Sequence, residues 1–239
     1  MRMRKKKNSE SRLALCERVL YNHGDKAPLS HPGEVMGMAS APVYLEIGAG
    51  KGRFAAQMAS RHPDAAYFAM ERVTDCVVLA AELAMSGEYG DGKNLRFVID
   101  TADNLLHIFE RGSVDAMFLN FSDPWSKKGY AKRRLTHRRY LALYMNLLRE
   151  GGTLTFKTDN RALFDFSLEE IEAMGLVPEA VTYDLHSSEW KEGNIMTEYE
   201  ENFSSQGMKI NMLKIRRPAG LAPQVAPEFT EKNYRGDNE

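Results

Sequence analysis

The sequence has little cysteine and no long hydrophobic run. Its two cysteines, Cys16 and Cys76, are too few for a disulfide framework and lack the spacing of a metal site. No apolar run reaches the roughly 18 residues that a membrane-spanning helix needs. The basic start of the chain has no apolar segment behind it, so we expect no secretory signal. These absences predict a cytoplasmic protein with reduced thiols, no metal and no membrane partner.

An excess of charge of one sign is also missing. The formal net charge is −1, and hydrophobic and charged contents of 43% and 27% are ordinary for a globular protein. We predict a basic N-terminal extension over residues 1–40 and one folded domain over residues 41–217. A mobile tail is expected over residues 218–239, where three prolines accompany few apolar residues.

Predicted strands and helices alternate along the chain, which indicates a parallel sheet with right-handed crossovers. The helix over residues 136–149 is expected to end at the glycine pair Gly151 and Gly152. A first strand begins at Val43 and ends at Glu46. Further strands are predicted over residues 65–70, 95–99, 114–121, 153–157, 179–185 and 209–216, and helices over residues 53–61, 74–86, 105–109, 136–149 and 160–174.

A glycine-rich turn follows the first strand. Gly48, Gly50 and Gly52 alternate, so the third glycine comes one residue earlier than in a dinucleotide fingerprint, which argues against an NAD-linked oxidoreductase. Glycine permits a tight turn and a close ligand because it has no Cβ. The Glu46 carboxylate suits a cationic group such as an ammonium. The pattern resembles that of Rossmann-like S-adenosylmethionine-dependent methyltransferases.

Acidic residues follow several predicted strands, at positions that meet along one edge of a parallel sheet. Glu46 and Glu71 end the first two strands, the segment 101–103 follows the third, and Asp123 follows the fourth. A carboxylate at Glu71 can accept both hydroxyls of a ribose, as an acid about 20 residues past the glycines does in dinucleotide folds. Together with the glycine turn, these residues predict a ligand site at this edge.

Four further segments resemble motifs of the bacterial tRNA (guanine-N7)-methyltransferases: residues 120–128, 132–135, 156–160 and 197–200. The resemblance extends from about residue 43 to residue 216. It implies a Rossmann-like α/β methyltransferase fold, with a mostly parallel seven-stranded sheet and helices on both faces. It also implies transfer of a methyl group from S-adenosylmethionine to N7 of guanosine 46 in tRNA, giving 7-methylguanosine and S-adenosylhomocysteine.

The resemblance and the glycine turn together assign roles to single residues. That family often has an acid where Thr101 stands, so Asp100 and Asp103 remain alternatives for the adenine contact. Asp123 is given the catalytic, positioning role because topology places it nearest the cofactor. Cofactor contacts are assigned to Glu46, Gly48, Gly50, Glu71, Thr101 and Asp123, and substrate contacts to Lys127, Asp159, Thr197, Glu198, Tyr199 and Glu200.

Methylation of guanine N7 makes modest chemical demands. The atom carries a lone pair and no proton, so the reaction requires orientation rather than a general base. Orientation can supply ~7–11 kcal/mol of the barrier. Carboxylates that accept from the guanine N1–H and amine would stabilise the positive charge that develops on the base. The division of these contacts among Asp159, Glu198 and Glu200 remains open.

Basic residues concentrate after Asp123. No acid occurs between Asp123 and Glu150, whereas lysine and arginine are frequent over residues 127–139, which favours contact with a phosphate backbone. The basic residues at positions 2–7 provide either a flexible arm for RNA or a solubilising tail. Trp125 is predicted either to stack on a base or to anchor its loop. A monomer and a homodimer are both compatible with the sequence.

Two other functions remain as alternatives. The first is a methyltransferase for another nucleobase or a small amine, since Asp123, Pro124 and Trp125 resemble the loop of amino-methylating enzymes. The basic segment, residues 127–139, and the acidic segment that begins at Thr197 argue against it, because a small substrate requires neither. The second is an RNA-binding module that has kept the methyltransferase scaffold and lost the activity.

Overall fold

The computed structural model describes residues 8–224, and seven strands within this range form a single sheet. The strands are β1 (Val43–Ile47), β2 (Ala66–Glu71), β3 (Leu95–Ile99), β4 (Val114–Asn120), β5 (Leu148–Thr158), β6 (Pro178–Thr182) and β7 (Asn211–Arg216). Their order is β3-β2-β1-β4-β5-β7-β6, in which β7 pairs antiparallel with β5 and β6 and the other neighbouring strands are parallel. The predicted seven-stranded, mostly parallel sheet is confirmed.

Helices cover both faces of the sheet. They are α1 (Ser9–Ala14), α2 (Arg53–Arg61), α3 (Thr74–Met85), α4 (Leu105–Ile108), α5 (Arg138–Leu147), α6 (Arg161–Ala173) and α7 (Glu198–Ser204). Alternate side chains of β1 enter opposite cores. Leu45 is buried among residues of α4, α5 and α6, whereas Tyr44 packs against the core that includes α2 and α3. Burial on both faces explains why β1 and β2 are mostly apolar.

Residues 8–40 pack against this domain. Arg12 of α1 donates two hydrogen bonds of 2.7 and 2.6 Å to the Glu82 carboxylate of α3. Farther along, the Tyr21 N–H donates to the Phe97 carbonyl oxygen over 2.9 Å. The domain boundaries predicted from the sequence stay predictions. The basic residues 2–7 and most of the predicted tail, residues 225–239, lie outside the described residues.

The expectation that α5 continues to the glycine pair is wrong. Strand β5 begins at Leu148, immediately after α5, and runs through the pair. Gly151 has a φ of 74°, and a Cβ on Gly152 would lie 2.9 Å from the Arg149 carbonyl oxygen and 3.0 Å from that of Asp115. The register between β4 and β5 shifts here. The glycines therefore accommodate an irregularity in the sheet rather than a helix C-terminus.

Candidate functional site

The glycine turn leaves β1 at the carboxyl edge of the sheet. Gly48, Gly50 and Gly52 all have positive φ values, of 81°, 56° and 77°. A Cβ on Gly48 or Gly50 would meet nothing within 4 Å, whereas one on Gly52 would lie 2.6 Å from the Ala80 Cβ. The first two glycines therefore leave open space for a ligand, and the third lets α2 pack against α3.

Glu46 is buried directly beneath this turn. Glu46 is 2% exposed, and its Oε1 accepts a 2.9 Å hydrogen bond from Asn120 Nδ2. Its Oε2 is buried and has no hydrogen-bond partner among the described residues. Burial raises the pKa of Glu46 to about 7, against smaller opposing effects of Asn120 and Lys157. A buried oxygen of this kind is suited to a ligand that brings a cation or a donor.

Glu71 lies against the glycine turn, as its predicted role requires. Its Oε2 accepts from the Gly50 N–H over 3.0 Å, and its Oε1 accepts from the Val73 N–H over 2.9 Å. Each carboxylate oxygen has a second lone pair. The anchored carboxylate can therefore still accept hydroxyl hydrogens from a ligand held by the turn.

The candidates after β3 differ in their availability. Asp100 Oδ1 accepts hydrogen bonds of 2.7 Å from the Thr101 N–H and from Asn104 Nδ2. Asp103 turns toward α5, where its Oδ1 accepts a 3.0 Å hydrogen bond from the Tyr140 hydroxyl. The Asp103 carboxylate is thus hydrogen-bonded within the protein, and the adenine contact stays a prediction for Thr101 or Asp100.

Asp123 stands in the loop that follows β4. Its side chain is 71% exposed, and its Oδ2 lies 3.8 Å from Arg72 Nη2. The loop holds two non-glycine residues at positive φ, Phe121 at 52° and Trp125 at 41°. Such conformations cost about 1–3 kcal/mol each and persist where the surrounding structure enforces them. The Asp123 carboxylate is therefore exposed on a loop of constrained shape.

Side chains of the basic segment, residues 127–139, hold the loop around Asp123 in place. Arg134 Nε donates to the Pro124 carbonyl oxygen over 3.0 Å, and Arg134 Nη2 donates to that of Trp125 over 3.2 Å. The Arg133 guanidinium lies 5.2 Å from the Trp125 ring centroid and 4.7 Å from that of Tyr130. These contacts favour the anchoring role of Trp125 over the stacking role.

The basic segment divides into two groups. Arg138 donates to the Glu170 carboxylate over 2.8 Å, and Arg139 lies 3.4 Å from Asp103, so both hold the fold together. Apart from Arg134, the other lysine and arginine side chains of the segment are exposed: Lys127, Lys128, Lys132 and Arg133.

Helix α7 brings most of the predicted substrate residues to the glycine turn. Thr197 caps the helix, its Oγ1 accepting from the Glu200 N–H over 2.9 Å. Glu198 Oε1 accepts a 2.9 Å hydrogen bond from Lys51 of the turn. Tyr199 is 45% exposed and stacks on Phe203 at a centroid distance of 4.2 Å.

Two other predicted substrate residues differ in exposure. Asp159, directly after β5, is half-buried. The pKa of the Tyr199 hydroxyl is raised mainly by burial and, to a smaller extent, by the negative charge of Asp159. Glu200 is fully buried and lies 2.5 Å from Lys157 Nζ. In this arrangement the Glu200 carboxylate does not face the open edge.

Sequence reasoning missed Lys157, Asn194 and Asn120 as parts of the site. Lys157 is 3% exposed, and its pKa is lowered by burial against the attraction of Glu200 and Glu46. A lysine at the last position of the predicted strand 153–157 was the available signal, because lysine is almost never fully buried without a partner. Asn120 and Asn194 carried no comparable signal.

Other kinds of site find no support. Neither cysteine forms a disulfide. Among residues 8–224, no three histidine, cysteine or acidic side chains cluster in a way that would hold a metal ion. The helices in this range are all too short or too polar to cross a membrane.

Comparison with known proteins places the chain in a family. A family model described as "Putative methyltransferase" matches residues 40–213. The tRNA (guanine-N(7)-)-methyltransferase of Lachnoclostridium phytofermentans is 42% identical over 213 residues, which cover 89% of this chain and 97% of that protein. A protein of the same name from Halalkalibacterium halodurans is 44% identical over 170 residues, covering 71% and 76% of the two chains.

Solved structures agree on the fold. The crystal structure of the 16S rRNA methyltransferase KamB superposes with a TM-score of 0.57 at 13% identity, covering 77% of this chain and 91% of that one. The structure of an antibiotic-related methyltransferase gives a TM-score of 0.55 at 16% identity, covering 82% and 98%. These likenesses establish a Rossmann-like methyltransferase fold. By its matched model and by its relatives, the chain belongs to the methyltransferase family that includes the tRNA (guanine-N(7)-)-methyltransferases.

Proposed function

We propose that this protein transfers a methyl group from S-adenosylmethionine to N7 of guanosine 46 in tRNA, giving 7-methylguanosine and S-adenosylhomocysteine. The observation that carries the proposal is 42% identity over 89% of the chain to a protein named tRNA (guanine-N(7)-)-methyltransferase. The arrangement at the carboxyl edge of the sheet supports it, because each part of that reaction has a suitable group there.

The residues around the glycine turn fit the methyl donor. The buried Glu46 Oε2, which has no partner among the described residues, is suited to the ammonium group. Gly48 and Gly50 leave space where a Cβ would stand, so the ligand can approach the backbone. Glu71 would accept the ribose hydroxyls, and Thr101 or Asp100 would contact the adenine. When bound, the donor supplies an electrophilic methyl group on a sulfonium.

The remaining groups orient the acceptor base. Asp123 is exposed on a constrained loop beside the donor residues, where its carboxylate can hold the guanine edge and stabilise the developing positive charge. Asp159 and Glu198 provide further acceptors, and Tyr199 provides an exposed aromatic surface beside them. No side chain is needed to remove a proton, since N7 carries none.

The surface around the loop fits an RNA backbone. Lys127, Lys128, Lys132 and Arg133 are exposed within one short segment that begins four residues after Asp123. Their positive charge would hold the tRNA phosphates while the base enters the site.

A transfer assay tests the proposal. Methyl-labelled S-adenosylmethionine and an unmodified tRNA transcript are incubated with the protein, and the RNA is digested to nucleosides. We expect label in 7-methylguanosine, and its loss when guanosine 46 of the transcript is replaced by adenosine. Label in another nucleoside would assign a different acceptor. Donor binding without any transfer would instead favour an inactive RNA-binding scaffold.

A further inference from the structure

We infer that the buried ion pair between Lys157 and Glu200 positions the segment 194–200 for guanosine binding, so that both are positioning residues rather than substrate contacts. The inference rests on the proposed function. It reassigns Glu200, which the sequence places among the direct substrate contacts.

Lys157 uses all three of its ammonium donors within the protein. Its Nζ donates to Glu200 Oε2 over 2.5 Å, to the Ile195 carbonyl oxygen over 2.9 Å and to Asn194 Oδ1 over 3.0 Å. The Lys157 and Glu200 side chains are 4% and 0% exposed. The three acceptors all come from one segment of the chain, so a single side chain of β5 holds that segment against the sheet.

Glu200 closes the network from the other side. Its Oε1 accepts a 2.7 Å hydrogen bond from Asn194 Nδ2 and lies 3.2 Å from His186 Nε2. Both of its carboxylate oxygens are therefore engaged inside the protein, which leaves little capacity for a substrate group.

The anchored residues bracket those that face the open edge. Asn194 and Ile195 precede Thr197, Glu198 and Tyr199, and Glu200 follows them in the first turn of α7. With both ends of the bracket tied to one ammonium group, the four residues between Ile195 and Glu200 have little freedom to shift. The charge of the pair thus determines where Glu198 and Tyr199 stand.

The network also adjoins the donor half of the site. Lys157 is the register partner of Asn120 on the neighbouring strand, and Asn120 donates to Glu46. Polar side chains therefore run from Glu46 across the ends of β1, β4 and β5 to Glu200. This continuity places the segment 194–200 in a defined position relative to the donor.

Stability by itself does not account for the pair. A buried ion pair loses hydration on both partners, and replacing it with apolar residues of similar volume is often neutral or stabilising. The charged pair also fixes the geometry of the residues between the anchors. Apolar packing would not supply this directional restraint.

The double variant Lys157→Met/Glu200→Met tests the inference, because it removes both charges and leaves none unpaired. We expect a folded protein whose affinity for S-adenosylmethionine is close to wild type. Its kcat/KM for tRNA should fall by about 100-fold, the scale of a misplacement near 1 Å. If the KM of the double variant for tRNA rises by a larger factor than its kcat falls, the variant has lost binding of the base rather than the rate of methyl transfer.

Asp115→Asn is the matched control. Asp115 also holds two elements together, accepting from the Val43 N–H over 2.8 Å and pairing with Arg149, but it does so at the amino edge of the sheet. We expect this variant to lose stability while its kcat/KM per folded molecule stays at the wild-type value.

Hydrogen exchange of the wild-type protein gives a second readout that does not depend on the variant folding. The amides of Glu200 and Glu201, which donate to Thr197, should exchange far more slowly than those of the turn 87–92. Equal exchange rates, or a folded double variant with wild-type kcat/KM, would overturn the inference. Wild-type protein that makes no 7-methylguanosine in tRNA would refute the proposed function, and slow exchange would then still show the anchoring.

Discussion

At the scale of single residues, burial decides what each carboxylate in the site can do. Glu46 is enclosed, so its environment favours the neutral acid until a cation or donor arrives. Asp123 is largely exposed and keeps its carboxylate available to a large substrate. Glu200 is enclosed like Glu46 but already has its cation in Lys157.

Glu46→Gln should change how stability depends on pH. The pKa of Glu46 rises from an ordinary 4.5 to about 7 on folding, because of burial, so the folded state binds this proton more tightly. The free energy of unfolding should therefore fall by roughly 3 kcal/mol as pH rises between these values, and stay constant above them. Urea denaturation of both proteins across this range measures the difference, which should be lost in the variant. Parallel curves would contradict the prediction.

Asp123→Ala should remove catalysis while leaving the fold intact. Loss of an acceptor that stabilises developing charge costs about 10²–10³-fold in kcat. An exposed side chain contributes little to stability, so thermal unfolding should not change. Single-turnover transfer to tRNA at saturating donor measures the effect. Asp64→Ala, an exposed acid between α2 and β2, is the control and should transfer at the wild-type rate.

At the scale of elements, the glycine turn and α7 build the site from opposite ends of the chain. The turn links β1 to α2 and leaves open space at its first two glycines. Helix α7 fastens to it through Lys51 with Glu198 and through Arg53 with Glu201, whose closest atoms are 2.9 and 2.5 Å apart. The proposed donor and acceptor sites thus share one boundary.

Alanine at two of these glycines should have separable effects. Gly52→Ala places a Cβ 2.6 Å from the Ala80 Cβ, so it should lower the free energy of unfolding by about 2–4 kcal/mol through overpacking and backbone strain. Gly50→Ala meets no neighbour and should lose only the ~1–2 kcal/mol of a left-handed conformation.

Donor affinity gives the complementary readout. Gly50→Ala should weaken S-adenosylmethionine binding by at least about tenfold, since its Cβ enters the ligand space. Gly37→Ala shares the positive φ and the open surroundings but precedes β1 at the opposite edge, so its donor affinity should be that of wild type. Calorimetric titration distinguishes the two. Equal affinity in both variants would argue against a donor site at Gly50.

At the scale of the whole molecule, a net charge near zero conceals a local basic surface. Acids and bases nearly balance over the chain, yet the segment after Asp123 carries only basic charges, and those that are not used in packing are exposed. A large polyanion would therefore meet a cluster of exposed positive charges beside the Asp123 loop.

Lys127→Ala should reduce the salt dependence of tRNA affinity. Each phosphate contact contributes about 0.7–0.9 to the slope of log K against log salt concentration, so loss of one contact lowers the slope by about that amount. Titrations at several salt concentrations measure it. Arg111→Ala removes an exposed cation at the amino edge of the sheet and should leave the slope unchanged. A slope unaltered by Lys127→Ala would remove its phosphate role.

The sequence by itself determined the alternation of elements, the strands and the glycine turn. Local signals suffice for these: β1 and β2 are mostly apolar, and Gly175, with a φ of 68°, comes directly after the predicted helix 160–174. The same local reasoning failed at the glycine pair, where Gly152 is required by the carbonyl oxygens of Arg149 and Asp115. One of those residues comes from another strand.

The tertiary structure alone decided which polar groups meet. Glu46 lies 74 residues from Asn120 in sequence, and Lys157 lies 43 residues from Glu200, so no local pattern could pair them. Whether a carboxylate is a ligand contact or an internal anchor depends on burial and on the charge beside it. Both arise only when distant strand ends come together, because the same glutamate costs little in water and requires a partner in the core.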